Sequence, residues 1–125
     1  PDVAAIYIAK FNRLMREVLT ISDKTFIYLA EEIEIIKLNI ELEQLRFKNG
    51  FDFEVSIDES IGTEELLIPS LITQPIIENA IWHGLLRKKE KGDLKVEFKY
   101  VNSSELICII EEARIERKIA LKEQD

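Results

Sequence analysis

The sequence is poor in the residues that build disulfide frameworks and metal clusters, since its 125 residues include one cysteine and one histidine. The single cysteine, Cys108, excludes an internal disulfide and a cysteine-based metal cluster. Because it lies in the apolar run LICII, we expect a buried structural thiol. No hydrophobic run reaches the length of a membrane span, and no signal peptide is recognisable. The chain begins PDVAAI without an initiating methionine, so we expect a piece of a longer protein.

Positive charge is also scarce, because 17 Lys and Arg residues stand against 24 Asp and Glu residues and leave a net charge of −7. This balance argues against a general binder of nucleic acids or anionic membranes. A local phosphate site stays compatible with it, because a helix N-terminus and a few lysines can bind phosphate. Hydrophobic residues make up 46% of the chain, which favours one globular domain with a modest core.

The first half of the chain carries two helical patterns and one strand pattern. Apolar residues at helical spacing predict a helix over residues 2–20, which TISDKTF then interrupts. Residues 28–50 predict a second helix with a wide apolar arc, to be contacted on more than one side. Glu31 and Glu32 at its start match the helix dipole, and Asn49 and Gly50 end it. FDFEVSID alternates apolar and polar residues and predicts a half-buried strand over residues 51–58.

The second half predicts a helix, a hairpin and a closing helix. The segment LLIPSLITQPIIENAIWHG predicts a third helix that is entered near Pro69 and is kinked or restarted at Pro75. After the basic loop LLRKKEKGD, the runs LKVEFKYV and ELICIIE flank the turn NSS and predict a β-hairpin. The polar residues 113–125 predict a last helix. The order α, α, β, α, β, β, α indicates an α+β fold with a small sheet covered by helices.

The third helix combines apolar residues with an unusual group of polar ones. At about 100° per residue, an apolar arc holds Thr73, Ile76, Ile77, Ala80 and Ile81. The remaining side holds Pro75, Glu78, Asn79, Trp82 and His83, and the last of these is the only histidine of the chain. One interpretation is a helix side that faces solvent and carries a stray tryptophan. The other is a binding site.

A family resemblance favours the second interpretation. LLIPSLITQPIIENAIWHGLLRKKEKGDLKVEFKY resembles the ATP-binding domain of LytS-type sensor histidine kinases, in which a segment of the form IPP-LLQP-ENAI-HG is the N-box of the Bergerat nucleotide fold. Upstream, KFNRLMREVL, LAEEIEIIKLNIELEQLRF and FDFEVSIDESI resemble the end of the dimerisation region, the linking helix and the first strand of the ATP domain. Together these segments cover nearly the whole chain.

The resemblance implies two parts. Residues 1–49 would be the end of the dimerisation region and the linking helices, and residues 50–125 a partial ATP-binding domain. The implied architecture is two N-terminal helices followed by a partial Bergerat-type α/β sandwich with a small mixed sheet.

The resemblance also implies a site for ATP and Mg²⁺. Asn79 corresponds to the asparagine that coordinates Mg²⁺ at the ATP phosphates, as a neutral oxygen ligand can. Glu78 corresponds to the neighbouring acidic residue, which orients a water or assists proton movement near the γ-phosphate. His83 and Gly84 close the motif beside the nucleotide, with His83 as a hydrogen-bonding residue of the pocket wall rather than a catalytic ligand. The following loop places three lysines near the phosphates, and a solvated loop is an equally good interpretation for them: Lys88, Lys89 and Lys91.

Two features depart from the family pattern. The phospho-accepting histidine belongs to an upstream motif, so this chain is not expected to autophosphorylate alone, and the glycine-rich lid would follow residue 125. After CIIE the family has a DNGIG-like box, whose aspartate contacts the adenine amino group. Here the box is EARIE, with Glu112 at the aspartate, Ala113 at the asparagine, and Arg114 and Glu116 at the two glycines. The longer glutamate and the two added side chains predict a damaged adenine half beside an intact phosphate half.

Three functions are compatible with these residues. The first is the cytoplasmic region of a bacterial inner-membrane sensor histidine kinase, which binds Mg-ATP, phosphorylates a histidine outside this chain and serves a response regulator. Membrane contact would come only through upstream segments, and no nucleic-acid partner is expected. The second is a degenerate, non-catalytic signalling or dimerisation module with a lost nucleotide site. The third is a plain helical interaction domain. The apolar stripe from Ile6 to Leu19 predicts a homodimer.

Overall fold

The computed structural model describes residues 2–46, 51–82, 92–112 and 115–121. Within these ranges the chain forms three helices and six strands. In chain order they are α1 (Asp2–Ile21), β1 (Phe26–Tyr28), α2 (Leu29–Arg46), β2 (Phe51–Ile57), β3 (Leu67–Pro69), α3 (Gln74–Ala80), β4 (Gly92–Tyr100), β5 (Leu106–Glu112) and β6 (Ile115–Leu121). The predicted α+β class is confirmed, with two N-terminal helices ahead of the main sheet.

The main sheet has four strands in the order β2-β4-β5-β6. Strand β4 runs parallel to β2 and antiparallel to β5, and β5 runs antiparallel to β6, so the sheet is mixed, as predicted. Val96 of β4 lies opposite Val55 of β2 and opposite Ile110 of β5. Because strand side chains alternate between faces, this register gathers Val96 and Phe98 of β4 with Cys108 and Ile110 of β5 on the face that the helices cover, whereas Ile107 and Ile109 lie on the other face.

Helix α2 takes part in two hydrophobic clusters. One side joins the main core between the sheet and α3, where Leu29, Ile36 and Ile40 are fully buried. Another side packs against α1 through a second cluster, formed by Leu14, Ile21, Ile27, Ile35, Leu38 and Leu42. The prediction that the wide apolar arc of this helix is contacted on more than one side is therefore confirmed. The predicted division of the chain at residue 49 stays a prediction, and residues 47–50 lie outside the described ranges.

The predicted C-terminal helix is wrong, because residues 115–121 form β6 at the edge of the main sheet. The polar, helix-prone composition concealed a period of two. Leu121 is buried and Ile119 half-buried, whereas Lys118 and Ala120 between and beside them are exposed. An unpaired edge of β5 was available to this alternating segment, and tertiary pairing outweighed its helix propensity.

The predicted start of the third helix is also wrong. Leu67–Pro69 is the strand β3, which pairs antiparallel with β1 and sets Phe26 opposite Pro69. Helix α3 begins at Gln74, with Pro75 in its first turn, where a proline is tolerated because its missing N–H would have no helical partner. Pro75 therefore lies at the start of the helix instead of kinking or restarting a helix that began near Pro69. Between β3 and α3, Leu71 adopts the left-handed conformation with φ of 57°.

Candidate functional site

Helix α3 presents a polar side to solvent and an apolar side to the core. Ile77 and Ala80 are fully buried, whereas Glu78 and Asn79 are exposed side by side. The angular division predicted from the sequence is confirmed for the described residues of this helix. His83 and Gly84, which the resemblance adds to the motif, lie outside the described residues, as do the three loop lysines.

The beginning of α3 is held by a buried carboxylate from α2. Glu32 is fully buried, and its Oε1 accepts a hydrogen bond from the Leu71 backbone N–H at 2.9 Å. Its Oε2 accepts from the Thr73 backbone N–H at 3.0 Å and from the Thr73 hydroxyl. Thr73 is the N-cap residue of α3 and makes no side-chain capping bond to its own helix. Glu32 therefore supplies the acceptors that the turn before α3 needs.

Sequence reasoning missed this role of Glu32, which it had grouped with Glu31 as a helix-dipole residue. Only Glu31 acts locally, since its Oε1 accepts from the Tyr28 N–H at 3.0 Å. A signal was present in the spacing. Glu32 lies three residues after Leu29 and four before Ile36, and so falls on the buried stripe of α2. A carboxylate on such a stripe requires hydrogen-bond donors, because burying it without them is costly.

Burial dominates the electrostatics of this carboxylate. Desolvation raises the pKa of Glu32 above its ordinary value, although the hydrogen bonds from Thr73 and Leu71 lower it in part. Cys108 of β5 is also buried. Burial and the charge of Glu32 raise the pKa of the Cys108 thiol to about 12, which confirms a buried, protonated thiol rather than a reactive one.

A pH-dependent stability follows from the raised pKa of Glu32. The folded state keeps the Glu32 proton to a higher pH than the unfolded chain, whose pKa lies near 4.5. The associated stabilisation is therefore present below that value and is lost as pH rises through the folded pKa. Cys108 does not titrate in this window. Because glutamine mimics the protonated carboxyl group, the unfolding free energy of the wild type minus that of Glu32→Gln should fall as pH rises above about 4.5 and through the folded pKa of Glu32.

Urea unfolding of the two proteins at several pH values measures this difference directly. Exposed carboxylates titrate in both proteins and cancel in the subtraction, so only the Glu32 proton contributes. A difference that stays constant or grows with pH would contradict the raised pKa.

A second polar contact joins α2 to α3. The Asn39 Nδ2 donates to the Gln74 Oε1 at 3.0 Å, at the first residue of α3. The same region borders a groove of about 390 Å³ between the three helices, with Glu78 at its rim. The groove is lined mainly by apolar side chains, among them Tyr7, Phe11, Leu14, Met15, Val18, Ile35, Leu42 and Leu71. At the far end of α3, the Arg46 guanidinium lies 5.9 Å from the centre of the exposed Trp82 ring.

The altered box lies at the end of β5. Glu112 is fully buried and lies opposite Leu94 of β4 and Ile115 of β6. Glu116 is exposed in β6, opposite Glu111, and forms an ion pair with Lys118 at 3.2 Å. Ala113 and Arg114 are outside the described residues. The structure thus turns the box into the start of a β-hairpin, with Glu112 directed to the covered face of the sheet.

The donor set on α3 fits a hydrated cation better than a closed metal centre. Among the described residues no group of three His, Cys, Asp or Glu side chains could hold a metal ion. One amide oxygen from Asn79 and a neighbouring carboxylate from Glu78 are hard oxygen ligands of the kind that Mg²⁺ accepts. Mg²⁺ ordinarily completes its octahedron with waters and substrate phosphates, so a sparse protein donor set suits it.

Comparison with known proteins finds sensor histidine kinases among the related sequences. The family model described as "Histidine kinase" matches residues 1–51. The chain is 37% identical over 92 residues to the sensor histidine kinase YpdA of Escherichia coli, which covers 74% of this chain and 16% of that protein. It is 26% identical over 104 residues to the sensor protein LytS of Oceanobacillus iheyensis, which covers 83% of this chain and 17% of that protein. The chain therefore spans about one sixth of the length of these relatives.

Proposed function

The chain belongs to the LytS-type sensor histidine kinase family, and on that premise we propose that it is the linking region and nucleotide-binding core of a two-component sensor kinase. The observation that carries the proposal is the exposed pair Glu78 and Asn79 on α3, a helix whose other side is anchored in the main core. Such anchoring fixes the direction in which the two polar side chains point, as a phosphate site requires.

Asn79 would offer its amide oxygen to Mg²⁺, and Glu78 would orient a water beside the γ-phosphate. Bound Mg²⁺ would neutralise charge on the ATP phosphates during transfer to a histidine outside this chain. His83, Gly84 and Lys88 would complete the phosphate side. Glu112 would lie toward the adenine side, where its buried carboxylate would have to accept from the adenine amino group.

Removal of the Asn79 amide is expected to weaken Mg-ATP binding. Asn79→Ala deletes the proposed Mg²⁺ ligand, so the dissociation constant should rise by at least about tenfold. Titration calorimetry of Mg-ATP into the longest natural version of the protein measures it. Because Asn79 is exposed, the variant should unfold at the same urea concentration as the wild type.

The matched control is Asn12→Ala, which removes an exposed asparagine from α1, away from the proposed site. Its dissociation constant for Mg-ATP should equal that of the wild type. Equal dissociation constants of the wild type and Asn79→Ala for Mg-ATP would contradict the assignment of Asn79 as a Mg²⁺ ligand.

A second candidate function is a non-catalytic signalling module that has lost the nucleotide. The observation that favours it is the box at Glu112. Only two residues separate the paired positions Glu112 and Ile115, and Glu116, at the second of the family's glycine positions, lies in β6. Absence of Mg-ATP binding by the longest natural version, lid included, would favour this candidate over the kinase. Micromolar binding that Asn79→Ala abolishes would exclude it.

Partners follow from the family. Two-component sensor kinases act on a response regulator, and we propose the same class of partner here. The proposed homodimer would use the exposed stripe of α1, and any membrane contact would come through segments upstream of residue 1. Within the described ranges, no helix has both the length and the hydropathy that crossing a membrane requires.

A further inference from the structure

Two polar residues of α2 form hydrogen bonds with the segment at the beginning of α3. Glu32 accepts from Leu71 and Thr73, and Asn39 donates to Gln74. Because Glu32 and Asn39 are seven residues apart, they lie two turns apart on the same side of α2. The four successive residues 71–74 are therefore held at two points by one helix.

The hydrogen bonds accepted by Glu32 also stabilise an unfavourable backbone conformation at Leu71. Leu71 has a positive φ of 57°, which a side chain with a Cβ rarely adopts. Such residues persist only where their surroundings over-determine them. The Leu71 N–H donates to Glu32 at 2.9 Å in this conformation. Glu32 thus stabilises the bend that aims α3, as well as the helix end itself.

Helix α2, which carries Glu32 and Asn39, packs against α1 along its other side. Buried Leu14 and Ile21 of α1 pack against Ile35, Leu38 and Leu42 of α2. Two ion pairs bridge the helices across their edges, Lys10 with Glu41 and Arg13 with Glu34. Packing and ion pairs therefore connect α1 to α2, and hydrogen bonds connect α2 to the start of α3.

We infer that Glu32 and Asn39 are positioning residues, which set the placement of α3 relative to α2 and so hold Asn79 in the direction of the ATP phosphates. This inference rests on the proposed function for its nucleotide half. The hydrogen bonds of Glu32 and Asn39 would then couple the placement of α3 on α2 to the affinity for Mg-ATP. Neither residue touches the nucleotide in this arrangement.

Trp82 can serve as an intrinsic fluorescent probe of the placement of α3 relative to α2. Trp82 is the only tryptophan of the sequence and lies just beyond Ile81, the C-cap residue of α3, with the centre of its ring 5.9 Å from the Arg46 guanidinium of α2. Its ring is half exposed, so its fluorescence and its quenching by acrylamide respond to the distance between the two helices. This measurement needs no nucleotide.

The test compares Glu32→Gln and Asn39→Ala with the wild type in two assays. Without nucleotide, both variants should make Trp82 more accessible to acrylamide and shift its emission. In the longest natural version, both should raise the dissociation constant for Mg-ATP by about tenfold, as loss of a supporting hydrogen-bond partner typically does. In the Asn79→Ala background, Glu32→Gln should change that constant by less than about twofold, because Glu32 acts through Asn79.

The control is Leu121→Ala, which removes a buried side chain from the edge strand β6. This variant should lower stability but keep the hydrogen bonds of Glu32 and Asn39 to residues 71–74. It should leave Trp82 quenching and Mg-ATP affinity unchanged at temperatures well below unfolding. Should Glu32→Gln behave like Leu121→Ala, with lower stability and unchanged Trp82, the inference is overturned. Asn39→Ala supplies the same decision if Glu32→Gln does not fold.

Failure of the proposed function gives a different result. If the wild type binds no Mg-ATP, the kinase assignment falls, yet the Trp82 comparison still decides whether α2 positions α3. Altered quenching in both variants then supports the mechanical coupling, and unaltered quenching in both overturns it.

Discussion

Truncation of Phe98 to alanine is expected to lower the free energy of unfolding by about 3–5 kcal/mol. Phe98 is a fully buried aromatic residue of β4, which lies between β2 and β5 and sets Phe98 opposite Ile57 and Cys108. Alanine would remove the ring and leave a cavity that the surrounding strands could fill only in part. Since domains of this kind are stable by roughly 5–15 kcal/mol, the loss would be a large fraction of the total. Urea unfolding followed by far-UV circular dichroism measures it.

Val101→Ala is the matched control, because Val101 follows directly after β4 but is 55% exposed. Its unfolding free energy should stay within about 0.5 kcal/mol of the wild type. A Phe98→Ala protein that unfolds at the same urea concentration as Val101→Ala would show that the sheet does not form the core. The sheet carries α3 on β5, so the same loss is expected to disturb the candidate site.

The elements that sequence reasoning located correctly are those that a local pattern defines. The strand before NSS alternates apolar and polar residues, and Asn102 closes the turn by accepting from the Ser104 and Glu105 N–H groups at 2.9 and 3.0 Å. These bonds span two or three residues, so the sequence alone contains both partners. The two N-terminal helices were found for the same reason, since their stripes recur every three or four residues.

The elements that it missed depend on strand pairing that no local pattern revealed. Strands β1 and β3 have three residues each and no readable period, and Phe26 pairs with Pro69 although α2 and β2 lie between them in the sequence. Strand β6 had a period of two, yet its composition of Glu, Arg, Lys, Ala and Leu favours a helix. Antiparallel pairing with β5, the strand directly before it, decided between these tendencies, and composition alone did not predict that pairing.

The candidate site divides in the same way. Helical spacing was enough to place Glu78 and Asn79 together on the exposed side of α3. Glu32 was missed because Thr73, its partner, is 41 residues away. The sequence therefore predicted which residues could meet a ligand, but it did not predict what holds them in place. The position of these residues depends on tertiary contacts, which form only in the folded chain.

Glutamates at both Ile8 and Leu19 are expected to abolish self-association of this chain. These two residues are 58% and 71% exposed, and with Phe11 and Met15 they form one continuous stripe along α1. The helix already buries Leu14 and Ile21 against α2, so the stripe remains outside the second cluster and is available to a second copy of the chain. An apolar interface cannot accept unpaired carboxylates without a large desolvation penalty. The dimer dissociation constant should therefore rise on the order of 100-fold or more.

The control places the same two charges elsewhere on the helix, as Ala9→Glu with Thr20→Glu. Both residues are exposed, and they lie roughly 100° around α1 from the stripe. Sedimentation velocity over a range of concentrations should give a dimer for the wild type and the control, and a monomer for Ile8→Glu with Leu19→Glu. A monomeric wild type at high concentration would contradict the homodimer itself. A dimer that tolerates both pairs of glutamates would instead place the interface on another surface, and α1 would then need another partner to cover its stripe.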